Sequence, residues 1–170
     1  MMADGGLQMT GIVPDAANAR LFRDALGRFA TGVTLVTIQG PEGPMGFTAN
    51  SFASLSLDPP LVLWSPAKAS QRYPFFAAAR HYAIHVLGQE QADLPARFSR
   101  GGLGFEGLDW QPNAEGVPAL PGALARFDCA QHATHDGGDH LIIVGQVLRL
   151  ALEEGEPLVF AKGRFGGFAG

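Results

Sequence analysis

Charge is what this chain has least of. Asp, Glu, Lys and Arg together make up 16% of its 170 residues, and the net charge is −4. A soluble domain usually carries about 25%, so part of the surface is expected to be covered in an oligomer. No run of lysines and arginines gives the electrostatic footprint of a nucleic-acid binder, which removes that partner class. The single cysteine, Cys129, excludes an intrachain disulfide and a cysteine-built zinc cage. No apolar run approaches the roughly 18 residues of a membrane-spanning helix. Neither a G-x-S-x-G elbow nor a defensible Ser–His–Asp order is present. Residues 1–14 lack the basic start and long apolar stretch of a signal peptide. They are expected to form a flexible arm, residues 15–170 a single domain, and the cytoplasm is the expected compartment.

What the chain does have is β-forming segments separated by turn residues. Asp15 or Asn18 can cap a helix reaching about Phe29, with Leu21, Phe22, Ala25, Leu26 and Phe29 on one face. Residues 33–38 (VTLVTI) read as a strand, and the turn GPEGP at 40–44 joins it to a second strand starting at Met45. Further strands are expected at 61–65, 81–87, 123–134 and 141–152, the last two flanking the turn Asp136-Gly137-Gly138-Asp139. Short helices are expected at 71–80 and 90–99, and 101–121 is the least regular stretch. The sum is about six strands and two or three helices. Short connections favour antiparallel pairing, and closing the sheet into a barrel would remove its edges.

The segment from Gly46 to Pro60 (GFTANSFASLSLDPP) carries no charge between Glu42 and Asp58. In strand register Thr48, Asn50, Phe52, Ser54 and Ser56 share one face, with Phe47, Ala49, Ser51, Ala53, Leu55 and Leu57 on the other. A neutral hydrogen-bonding face suits a flat, uncharged heterocycle with several carbonyl and N–H groups. The pattern also fits an ordinary strand whose hydroxyls face water. Lys68, Ser70, Gln71 and Arg72 precede a helical stretch, a position that suits a phosphate as well as a solvated loop. The match to G-x-G-x-x-G at Gly102–Gly107 follows a helical stretch rather than a strand, so it is not a dinucleotide fingerprint. His132, His135, Asp136, Asp139 and His140 cluster in sequence, but His132 and His135 point to opposite faces of a strand, against a metal site. His140 opens a buried strand and could donate a hydrogen bond at a cleft mouth. Cys129, among apolar neighbours, reads as an inert core residue.

Taken in order, these residues carry a resemblance. The chain resembles the short-chain flavin reductases of two-component flavin monooxygenases, which have the FMN-binding split-barrel fold. The landmarks are the run from Phe22 to Thr34 (FRDALGRFATGVT), Gly46 to Phe52, Ser54 to Pro60, Phe127-Asp128-Cys129, Gly138-Asp139-His140, Gly145, and Gly163-Arg164-Phe165. The resemblance implies a mainly β fold with short helices, an antiparallel split β-barrel. It also implies reduction of FMN or FAD by NADH or NADPH, with reduced flavin passing to a partner monooxygenase by diffusion. Thr48, Ala49, Asn50 and Ser51 would then line the isoalloxazine. Ser65, Lys68 and Ser70 would lie by the ribityl chain and phosphate, and Phe98 would pack near the flavin. His140 would stand at the nicotinamide side as the catalytic residue. Thr31, Ser54 and Asp139 complete the expected cofactor-binding set. A homodimer is implied, with Arg164 and Phe165 serving the neighbouring site. Two alternatives remain open in the sequence: a reductase of another acceptor, such as a corrin or ferric complex, that holds its FMN, and a flavin carrier without a nicotinamide site.

Overall fold

Asp15 starts the first element. Its carboxylate accepts the Ala17 and Asn18 N–H groups at 2.9 and 3.0 Å, capping a 3-10 turn that runs into helix α1 (Ala19–Leu26). The computed structural model describes residues 11–99 and 101–168. Of the expected arm, 1–10 lie outside the described residues, and 11–14 are exposed without regular structure. α1 ends at Gly27, earlier than the apolar pattern predicts, where the Gly27 N–H closes on the Arg23 carbonyl at 2.8 Å.

Strand β1 (Thr31–Gly32) is followed by β2 (Thr34–Gly40) and β3 (Gly43–Ala49), a hairpin across the predicted turn. β4 (Ala53–Leu57) and β5 (Pro60–Trp64) form the next hairpin, then α2 (Tyr73–Ala78) and β6 (His81–Val86). The helix expected at 90–99 is instead a 3-10 turn at Gln89–Gln91 and the four-residue α3 (Leu94–Arg97). Pro95 is the reason: it lacks the N–H a helix interior needs and is tolerated only in a first turn, where it sits. Two-residue strands β7 (Gln111–Pro112) and β8 (Pro118–Ala119) lie in the irregular stretch. The long strands β9 (Ala125–Gly137) and β10 (His140–Leu152) meet at a tight turn, where Gly138 adopts φ 76°. β11 (Leu158–Ala161) and β12 (Arg164–Gly167) close the chain.

Seven strands, not six, make the main antiparallel sheet, in the order β3-β2-β6-β9-β10-β5-β4. Its two edge strands are consecutive in the chain, joined only by residues 50–52. That link limits Ala49 and Ala53 to about 14 Å apart, so the sheet must curl until its edges nearly meet. No ladder joins β3 to β4 among the described residues. The result is the expected barrel with a split. A second sheet, β1-β11-β12, stands beside it.

Two apolar clusters fill the interior. In the barrel, Phe47, Trp64 and Phe76 meet edge to face with centroids 5.4 to 5.8 Å apart. Cys129 is buried in this cluster, and burial pushes its thiol up to about 12, so the residue is inert packing as its neighbours predict. The second cluster, with Leu35, Leu87, Phe98, Phe105 and Leu120, lies under the irregular stretch. Two buried polar groups fasten that stretch to the sheet. Thr37 Oγ1 donates to the Pro118 carbonyl at 2.6 Å. The Leu120 N–H donates to His85 Nε2 at 3.1 Å, which leaves His85 Nδ1–H to donate to the Leu35 carbonyl at 3.0 Å.

Two predictions follow from this packing. A Cβ on Gly145 would collide with the buried Tyr82 hydroxyl, so Gly145→Ala should lower unfolding free energy by about 1–3 kcal/mol in urea titration. His85 is fully buried and neutral, and desolvation pushes its pKa down from 6.5 to about 4. Because the folded state resists protonation, its contribution is complete above pH 6.5 and falls as pH drops toward 4. Stability should fall by about 2 kcal/mol more between pH 7 and 5 in the wild type than in His85→Gln.

Candidate active site at the split in the barrel

The chain crosses the split at Asn50, where β3 ends in a bend. This bend overturns the single polar face expected across Gly46–Pro60. Phe47 and Ala49 are buried in the barrel, as the alternation predicts, but beyond the bend the register changes edge and a bulge falls between Ser54 and Ser56. Ser54 is exposed on β4, and Leu57 is 97% exposed rather than buried. The polar groups that do gather at the split are Thr48, Asn50 and Ser51. Thr48 Oγ1 is buried without a hydrogen-bond partner. Thr34 Oγ1 donates to the Ala49 carbonyl at 2.8 Å and fixes the end of β3. Ser51 Oγ accepts the Ser65 N–H at 2.9 Å and donates to the Ser65 carbonyl at 3.2 Å. Ser51 and Ser65, separate in sequence, are thereby locked together across the seam.

From Ser65 the chain is stitched to the β9–β10 turn. The Leu141 N–H donates to the Pro66 carbonyl at 3.1 Å, and the Lys68 N–H donates to the Asp139 carbonyl at 2.9 Å. Ala67 bridges to His140. Lys68 Nζ donates to the Asp136 carboxylate and to the Gly138 carbonyl at 2.7 Å. His140 Nδ1 pairs with Asp139 Oδ1 at 2.7 Å, which leaves Nε2 free to face a ligand. Asp139 is held below the usual carboxylate range by that hydrogen bond first. Lys68, Asp139 and His140 are therefore neighbours, and hydrogen bonds tie the turn at 136–139 to the loop at 65–70.

Six expected residues have other surroundings. Phe98 is fully buried against Phe105 at a centroid distance of 5.0 Å, so its ring has no free face. Arg72, read as a phosphate donor, points inward instead. Its Nη1 donates to the Gly46 and Phe98 carbonyls at 2.9 and 2.8 Å, and its guanidinium lies 4.4 Å from the Phe47 ring centroid. Ser70 Oγ accepts the Arg72 N–H at 3.3 Å, and α2 behind it has only six residues, too short for a strong dipole. Thr31, Arg164 and Phe165 lie in the second sheet, where Thr31 pairs with Phe160 and Phe160 with Phe165. Within one chain this group is not brought to Thr48–Ser51 by any hydrogen bond among the described residues. Gly102–Gly107 is a run of turns with positive φ at Gly102 and Gly107, not a strand-to-helix loop. Clefts of about 500 Å³ (Arg23, Arg28, Phe160, Lys162) and about 320 Å³ (Trp110, Gln111, Arg126, Glu153) are lined by none of Thr48–Ser51, Ser65, Lys68 and His140.

The split with its Thr48–Ser51 corner, and the Gly138-Asp139-His140 turn beside it, can now be set against known proteins. The family model described as flavin reductase like domain matches residues 26–169. The chain belongs to this flavin reductase family. It is 61% identical over 157 residues to the FMN reductase (NADH) SmoA of Agrobacterium fabrum, covering 92% of this chain and 90% of SmoA. It is 41% identical to the reductase subunit HsaB of a flavin-dependent monooxygenase of Rhodococcus jostii, covering 92% and 81%. Among solved structures, the NADH:FAD oxidoreductase SgcE6 of Streptomyces globisporus superposes with a TM-score of 0.86 at 37% identity, covering 94% and 98%. A second SgcE6 structure, in complex with NAD and FAD fragments, gives 0.85 at 36% identity with the same coverage. Flavin reductases of this family therefore share the split barrel seen here.

Sequence reading missed Arg72 as a strut because its partners are backbone carbonyls, which leave no residue signature. Removing it would strand the Gly46 and Phe98 carbonyls. Arg72→Ala should lower unfolding free energy by about 2–3 kcal/mol in chemical denaturation.

Proposed function

We propose that this chain is an NADH-dependent reductase of FMN that binds flavin at the split and releases the reduced product to a partner monooxygenase. The observation that carries the reading is Thr48 Oγ1, buried without a partner beside the exposed Asn50. An unpaired buried hydroxyl is costly unless a ligand completes it. It sits where the family pattern expects the flavin ring. Thr31 Oγ1 is orphaned in the same way, on the second sheet. The flavin, when bound, supplies the ring that accepts the hydride.

The protein's part is binding and position. Asn50 and the backbone of the bend offer neutral donors and acceptors toward the ring edge, and those donors favour negative charge gathering there. Ser65 continues that surface, and Lys68 offers the cation for the phosphate. His140, with Nδ1 tied to Asp139, would offer Nε2 to the nicotinamide. No side chain in this set need exchange a proton. The scarcity of charged clamps suits a flavin that leaves after reduction. NADH and FMN are named because SmoA, the 61% identical relative, carries both in its description. The monooxygenase partner is inferred in the same way from HsaB.

A homodimer completes the reading. Leu57, Leu148, Leu150, Leu152 and Phe165 are exposed apolar side chains that a second copy would cover. A second copy also gives Arg164 and Phe165 a role at a site their own chain does not bring them to.

Anaerobic stopped flow tests the proposal. NADH should bleach FMN bound to the wild-type protein, with saturation in both reactants. His140→Ala should raise the NADH KM or slow reduction about tenfold while leaving FMN affinity unchanged. Unaltered kinetics in that variant would remove His140 from the site, and no bleaching by NADH would leave a flavin carrier.

A further inference from the structure

Lys68 is already held by a carboxylate. Its main chain is fixed by the N–H bond to the Asp139 carbonyl at 2.9 Å, so the side chain leaves from a set point. Its ammonium then donates to the Asp136 carboxylate at the end of β9 and to the Gly138 carbonyl. Asp139, the other carboxylate of this turn, is paired with His140 instead. Asp136 is exposed, and the hydrogen bond from Lys68 holds its carboxyl below the usual range, so it is ionised at any working pH. A carboxylate beside a phosphate-binding lysine has the wrong sign twice over. It occupies the lysine's donors, and it repels the dianion that would replace it.

We propose that Asp136 competes with the phosphate monoester of FMN for Lys68, and so loosens flavin binding enough for the reduced product to leave. This rests on Lys68 being the phosphate-binding cation of the site described above. In the free protein Lys68 belongs to Asp136. FMN must displace that pair, and on departure Asp136 takes the lysine back. Asp136 is thus a positioning residue that acts through Lys68 and does not touch the reacting ring. The pair is solvent-exposed, so the competition is modest, a few-fold in affinity rather than a switch.

The phosphate requirement separates this role from a structural one. Dissociation constants for FMN and for riboflavin, which lacks the phosphate, are measured by flavin fluorescence quenching. The proteins are the wild type, Asp136→Asn, Lys68→Gln and the double variant. Asp136→Asn should bind FMN about two- to fivefold more tightly and riboflavin as the wild type does. Lys68→Gln should weaken FMN but not riboflavin, and adding Asp136→Asn to it should tighten FMN by less than it does in the wild type, because only the direct repulsion is then relieved. If Lys68→Gln weakens FMN while Asp136→Asn leaves it unchanged or weaker, competition is wrong although the phosphate reading stands. If Lys68→Gln leaves FMN binding unchanged, the phosphate reading itself fails, and the proposal with it. Asp136→Ser serves as the second variant should the amide disturb the turn, with the same expected direction.

Discussion

The structure turns on a length constraint. Two strands that form opposite edges of a seven-stranded sheet are joined by residues 50–52 alone. So short a link forces the sheet to curl until its edges face each other. No ladder joins them among the described residues, so each keeps one side without a strand partner: β3 pairs with β2 alone and β4 with β5 alone. What is left is a seam in which the main chain turns sharply and short polar side chains crowd together. A closed barrel would have spent those backbone groups on itself, and an open sheet would have separated them. The split keeps Thr48, Asn50 and Ser51 close and leaves hydrogen-bonding capacity uncommitted there.

The surroundings of the seam are organised to hold it rigid. Arg72 spends its charge on two carbonyls and an aromatic face. Gly46 has no side chain because Phe98 occupies that space, and its N–H donates to the Gly102 carbonyl at 2.9 Å. On the other flank Ser51 and Ser65 bond reciprocally, and the loop after Ser65 is laced to the β9–β10 turn. The phosphate end and the nicotinamide end of the proposed site are therefore one mechanical unit. Disturbing the turn at Asp136–His140 should be felt by Lys68, a coupling carried by named hydrogen bonds.

Much of this was legible in the sequence, and the failures have physical causes. β-branched runs and the turns at 40–44 and 136–139 gave the β2–β3 and β9–β10 hairpins, because strand and turn preferences are local. The family landmarks gave the split barrel, but not the contact between Lys68 and the Asp136–His140 turn, since the resemblance put Lys68 at the phosphate and His140 at the nicotinamide side. Alternation failed beyond Asn50, since period-two reading assumes one continuous strand and the chain changes edges at that point. That is why Leu57, on the Phe47 face by alternation, is exposed while Phe47 is buried. Phe98 looked like a ligand contact but is core, because apolar character alone does not say which side of a wall a ring occupies. The structural roles of His85, Thr37 and Arg72 went unread for a shared reason: each pairs with main-chain groups distant in sequence.

The central claim is that the seam binds the flavin. Amide hydrogen exchange read by mass spectrometry, with and without saturating FMN, tests it most directly. The account predicts slowed exchange in residues 46–52 and 65–70 on adding FMN. Protection confined to 23–28 and 160–163, with 46–52 unchanged at saturation, would contradict it and move the flavin to the cleft between α1 and the β11–β12 turn.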